Sequence, residues 1–370
     1  MNYNPEELKK HYDGLPHGKA RTEALREAIE AADQHNDVPF RIYFREEMCH
    51  EACFYGDVMY MMVVFPEMLS IIDRYPDTPS TQFDTSYDNA LDHILWIYKW
   101  VIEECSSFYQ ISMEDCLKFF EDFKKRSISY GYNLKPYYRS LYYFYNFDDK
   151  KAEEAFHNFE RIPRDSNSDC RACERNTEIG FYLDAGNLDK AFELAEDIEN
   201  FKLRCGGNYF DAWLRMKISF LDYYMDNCEF EKAAELAGLL ERKINDKTEY
   251  QVWGTIMDCY AHTKPGRALR IYKKYWKELE KEHSPYDLLG SSQHVCCFWK
   301  QMVKSGRETV RLQLDSSFPL YNEDRIYKTE DLFNYYYNRA ENIAKKFDQR
   351  NNADSYIKDL QDALENAMED

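Results

Sequence analysis

Cys170, Cys173 and Cys205 are the residues whose type and spacing could do chemistry. A C-x-x-C pair at the start of a helix puts two thiolates on one turn, an arrangement that chelates zinc. Cys205 is expected at the start of the next repeat's first helix. Equivalent positions of adjacent repeats are neighbours, so three thiols would converge. A fourth ligand is not evident, and His157 and Asp169 are the nearest candidates. Three readings stand side by side: a structural Zn centre, a disulfide, and thiols that pack a loop.

Other constellations read as structure. Cys49, His50 and Cys53 share a helix face, with the two thiols at i, i+4, and read as repeat core. Cys296 and Cys297 adjoin Phe298 and Trp299 and read the same way. His93, His262 and His294 have no acid and nucleophile near them in sequence, and they read as core or surface histidines. The chain contains no phosphate-cradling loop, nucleophile elbow or His-Glu-x-x-His helix. Carboxylate pairs are too frequent to carry a signal. An enzyme is therefore not expected.

Tyrosine is the more informative excess, with 31 Tyr beside 23 Phe and 6 Trp. The runs Pro136–Tyr145 and Asn334–Arg339 are aromatic on more than one helix face, so one face can pack while another meets a partner. Tyr supplies rigid contact area with a polar tip. Tyr138, Arg139, Tyr142, Tyr182, Arg215 and Trp253 are the groove candidates. The competing reading is that all six fill gaps between repeats.

The charge balance is 48 basic against 67 acidic residues, a net −19. Such a surface repels phosphates and anionic lipid, so neither nucleic acid nor membrane is an expected partner. Lys124–Arg126 and the Arg267, Arg270, Lys273, Lys274 set are short basic clusters that read as solvated helix faces. The N-terminus is polar, and the most apolar run, Val58–Ile72, is broken by Pro66 and Glu67. No membrane span or signal peptide is expected, and the 11 cysteines read as mostly reduced thiols of a cytoplasmic protein.

The elements that must position these residues are helical repeats. Gly 13 and Pro 11 are scarce, which argues against many short strands. A turn residue, an apolar residue, a small residue and then apolar residues at helical spacing recur along the chain. The small positions are Met61, Cys116, Ala155, Ala191, Ala233 and Ala268, and the last four steps are 39, 36, 42 and 35 residues. Tetratricopeptide repeats have a period of roughly 34. A small side chain at the crossing lets two helices approach closely. First helices are predicted at Phe40–Tyr55, Asp88–Ser106, Pro136–Asn146, Arg171–Ala185, Asn208–Asn227 and Thr248–His262. Lys19–Gln34 reads as a cap, Pro76–Thr85 as an insertion, and Tyr286–Lys304 as part of a final unit. Thr309–Leu320 reads as an extended crossing segment. Lys328–Gln349 and Asp354–Met368 read as C-terminal helices. The expected fold is all-α, a TPR-like solenoid: residues 1–36 cap it, 37–305 form the repeats, and 306–370 close it.

Several motifs occur in a fixed order: Trp96–Val101, the Pro163–Cys173 segment ending Ser-Asp-Cys-x-x-Cys, Cys205, Arg311–Leu320, and Phe347–Asn351 (Phe-Asp-x-Arg-Asn). On these the chain resembles a family of bacterial tetratricopeptide-repeat proteins over roughly residues 90–352. The resemblance implies the repeat fold and no particular activity. It departs after Cys205, where Gly206 and Gly207 stand in place of an acidic Gln-Pro stretch.

The function expected from the sequence is a scaffold whose concave groove binds a protein or peptide segment. The alternatives are a ligand- or signal-peptide-sensing regulator, and an inhibitor or immunity protein for a basic partner.

Overall fold

A computed structural model describes residues 3–76, 90–205, 209–244, 250–281 and 284–369. The expected insertion falls mostly outside the described residues, as do Gly206 and Gly207. Among the described residues the elements are helices apart from one two-stranded ribbon, and the chain divides into two compact units, Met1–Ser168 and Asp169–Asp370. No described helix is long and apolar enough to cross a membrane.

The first unit holds α1 (Pro5–Asp13), α2 (Lys19–Gln34), α3 (Val38–Tyr55), α4 (Met59–Arg74), α5 (Ala90–Glu104), α6 (Met113–Ser129), α7 (Lys135–Phe144) and α8 (Asp149–Arg161). Helix α2 matches the expected N-terminal helix, and α1 is an addition. Asn4 caps α1 by accepting from the Glu7 amide, a signal masked by the polar composition of the first residues. The later helices pack as α3 on α4, α5 on α6 and α7 on α8. Asp37, Ser112 and Asp148 cap α3, α6 and α8. Buried cations are satisfied locally. Arg45 bonds both carboxylate oxygens of Asp33 (3.1 and 2.8 Å) and also reaches Glu67. Lys135 donates to the carbonyls of Phe159 (2.8 Å) and Ile162 (3.2 Å), where the dipole of α8 favours positive charge.

The second unit holds α9 (Arg171–Asp184), α10 (Leu188–Glu199), α11 (Tyr209–Asp226), α12 (Phe230–Lys243), α13 (Tyr250–Thr263), α14 (Pro265–Leu279), α15 (Pro285–Lys304), β1 (Thr309–Arg311), β2 (Ile326–Lys328), α16 (Thr329–Asn351) and α17 (Ser355–Asn366). The pairs are α9/α10, α11/α12, α13/α14 and α15/α16, and the first helices also pack in succession, α9 on α11, α11 on α13 and α13 on α15. The turns repeat one device. Gly186 and Cys228 both have left-handed backbone, and the residue after each donates to a carbonyl of the preceding helix.

The small positions read from the sequence are all buried: Met61, Cys116, Ala191, Ala233 and Ala268 are fully covered, and Ala155 nearly so. The 309–320 segment alternates as expected, with Val310, Leu312 and Leu314 buried and Arg311 and Gln313 exposed. Its first residues pair with β2 in antiparallel register, Val310 opposite Tyr327. One connection differs from the expectation. Helix α15 packs against α16 across this hairpin, so α16 is the partner of α15 and not a separate closing helix. Tyr272 and Tyr336 share a hydroxyl hydrogen bond of 3.0 Å in the core between α14 and α16.

Ala268→Leu should cost about 1–3 kcal/mol by overpacking a sealed position. Urea unfolding followed by circular dichroism checks this. A neutral result would mean that the position has room to spare.

Candidate functional site

The first helices of the second unit place a set of ionisable side chains together. On α11, Arg215, Ser219, Asp222 and Asp226 follow at i, i+4, i+7 and i+11, which is one helix face. Helix α9 ends at Asp184, α13 contributes Thr255 and Asp258, and α15 contributes His294. His294 Nδ1 lies 3.0 Å from Asp258 Oδ2, and its Nε2 lies 3.2 Å from the Thr255 hydroxyl. The Asp258 contact fixes the ring and favours its protonated form. Next to this pair, Gln301 Nε2 is 3.2 Å from His262 Nδ1.

Helix α17 joins the same face. Asn366 Nδ2 donates to the Asp226 carbonyl at 3.4 Å, Cys297 Sγ to the Ala363 carbonyl at 3.6 Å, and Lys304 Nζ to the Met368 carbonyl at 2.6 Å. Asp359 of α17 thereby comes within electrostatic reach of Asp226.

Asp184, Asp222, Asp226 and Asp359 are exposed, and Asp258 is buried. Surface access and surroundings tell different stories for Asp222. Water reaches the side chain, yet the surrounding protein pushes its carboxyl up to about 7 by desolvation. His294 opposes that rise, and Asp226, Asp184 and Asp258 add to it. Desolvation also raises Asp226, with Asp184 adding. Asp359 is pushed up to about 6 by burial and by Asp362, Asp348 and Asp226. His294 is raised against its own desolvation by Asp258, Asp222 and Asp226. The face that these side chains share is acidic.

The six residues named as groove contacts divide between the units. Tyr138, Arg139 and Tyr142 lie on α7 of the first unit. Tyr138 is half-buried beside Tyr137, and Tyr142 sits 5.7 Å from the Phe156 ring. Arg139 is buried, with its guanidinium 2.6 Å from Glu103. In the second unit, Tyr182 is half-buried on α9, and Arg215 is exposed on the face that carries Asp222. Trp253 is buried and stacks on Tyr275 of α14 at 4.1 Å. Sequence reasoning missed Asp222, Asp226, Asp258 and His294. The available signal was their shared phase with Arg215 along α11 and with one another on successive first helices.

The three cysteines do converge. Cys170 is the N-cap of α9 and accepts from the Cys173 amide at 3.3 Å. Cys173 Sγ and Cys205 Sγ are 4.0 Å apart, and all three sulfurs lie within 4.8 Å of one another. The Cys170 thiol is held down to about 5, first by the Cys173 side chain, against burial, with help from the helix amides and Cys205. The core thiols behave oppositely. Burial pushes Cys53 and Cys296 up to about 12, and Cys49, Cys259 and Cys297 well above the ordinary range. His157 lies in the first unit on α8, near Glu153 and Glu160, and neither it nor Asp169 belongs to the trio.

A concavity of about 490 Å³ lies over α11 between α10 and α12, lined by Phe192, Tyr224, Leu236, Leu239, Lys217 and Glu199. No protein-family model matches this chain, and no curated protein matches it.

The raised acids give a signed prediction. Between its unfolded value near about 4 and its folded value of about 7, Asp222 binds more protons folded than unfolded. Stability therefore falls as pH rises through that window. Asp359 acts in the same direction up to about 6, and His294, being raised, loses its contribution as pH rises through its folded value. Asp222→Asn should raise the melting temperature at pH 8 and leave it nearly unchanged near pH 4.5. A lower melting temperature at pH 8 would show that the ionised carboxylate is stabilising.

Proposed function

We propose that this protein is a binding scaffold whose second unit is a TPR-like stack of helix pairs, and that its concave face receives a basic, extended segment of a protein partner. The observation that carries the reading is Asp222, exposed to water on α11 yet crowded by α9, α13, α15 and α17 into a wall of carboxylates. Successive first helices supply a continuous row of side chains, which suits an extended ligand better than a compact one. Charge complementarity selects the occupant: a Lys or Arg side chain would offset the repulsion among Asp184, Asp222, Asp226 and Asp359 and restore their ionised forms. Arg215 lies one to two turns from Asp222 on the same face and would set a positive boundary. Of the sequence expectations, an inhibitor of a basic partner is the special case closest to this reading. The reading is of binding rather than catalysis; the Thr255 hydroxyl beside His294, which Asp258 orients, is read as a contact that fixes the ring on this face.

The test uses the full chain and a short fluorescent Arg/Gly peptide, with its Glu/Gly counterpart as the control. Asp222→Asn/Asp226→Asn should weaken Arg/Gly binding by ~10-fold. The charge-matched pair Glu193→Gln/Glu235→Gln, on α10 and α12, should not. Binding should tighten from pH 6 to pH 8 as Asp222 loses its proton among Asp184, Asp226, Asp258, His294 and Asp359. Equal losses in both double variants would reduce the effect to net charge and overturn the assignment, as would absence of binding.

A further inference from the structure

We propose that Cys170, Cys173 and Cys205 form a zinc centre in which the protein supplies three thiolates. The geometry argues against the two competing readings. Tetrahedral zinc with Zn–S of about 2.3 Å separates its sulfurs by about 3.8 Å. Cys173 and Cys205 stand 4.0 Å apart, and the whole trio falls within 4.8 Å. A disulfide needs about 2.05 Å and uses two sulfurs, leaving the third without a role. Thiols that only pack a loop have no reason to converge in threes, and the core thiols Cys49 and Cys259 are fully buried.

The local chain prepares the trio for an anionic, metal-bound state. Cys170 occupies the N-cap of α9, so its sulfur already accepts the Cys173 amide and faces the positive end of the helix dipole. The three residues are half-buried, which leaves a path for the ion. Among the described residues the group consists of these three thiols. On binding, the thiols release their remaining protons to solvent and three Zn–S bonds form, with no redox change. The ion would tie the start of α9 to the chain entering α11, clamping two successive helix pairs. This inference is independent of the acidic face.

The full chain, purified without chelator, should carry about one zinc by elemental analysis. Stripped protein titrated with cobalt(II) should develop a thiolate-to-metal charge-transfer band, and chelation should lower the melting temperature of the loaded form. Cys170→Ser, Cys173→Ser and Cys205→Ser should each reduce the metal to below about a tenth of an equivalent, whereas Cys228→Ser should keep it. Should a variant fail to fold, the cobalt titration of the unmutated chain still decides. The proposal is overturned if the chain holds no metal and develops no cobalt band while all 11 cysteines react as free thiols. It is equally overturned by a shortfall of two thiols that a reductant restores, which would mark a disulfide.

Discussion

Ala191, Ala233 and Ala268 are each sealed from water on the second helix of a pair, and what lies around them depends on that closeness. A larger side chain there would push the paired helices apart. The first helices could then no longer pack in succession, and Asp184, Asp222, Asp258 and His294 would no longer share a face. A property as plain as side-chain volume thus governs an electrostatic one. The carboxylates do not assemble themselves, since they repel. Apolar burial in the second unit forces them together, with Trp299, Tyr260 and Tyr272 fully covered at its centre.

Both units neutralise inward cations, in the second unit as Arg339 on Glu280, and both hold raised acids, as Glu47 in the first. In the first, inward cations are neutralised by carboxylates or helix-end carbonyls, as at Arg45 and Lys135. Such pairs stabilise little beyond offsetting their own desolvation, so their value lies in fixing how helices meet. In the second, the acids on the first helices have His294 as an opposing charge, and desolvation with mutual repulsion raises Asp222 and Asp226. Keeping such acids together costs free energy, which apolar burial in the rest of the unit offsets.

Much of this was legible in the sequence, because the repeat signal rests on volume and period. The six small positions, the alternation of Val310, Leu312 and Leu314, and the helix Lys19–Gln34 all follow from local pattern. The pairing of α15 with α16 did not, because the connecting hairpin hides their proximity. The convergence of Cys205 on Cys170 and Cys173 followed from reasoning about equivalent repeat positions. The acidic face escaped because 67 acidic residues drown any local pattern, and only helix phase across three elements separates these few from the rest. Trp253 stacks on Tyr275 and with it lines a concavity beside Glu241, Arg267 and Arg270, a placement that sequence alone does not give.

The most direct test of the account is amide hydrogen exchange of the full chain with and without the Arg/Gly peptide, read by mass spectrometry. Binding at the acidic face predicts slowed exchange in α11, α13 and α17, with α10 and α12 unchanged. Protection confined to α10 and α12, around the concavity lined by Phe192 and Leu236, would contradict the central claim and move the binding surface to the opposite helices.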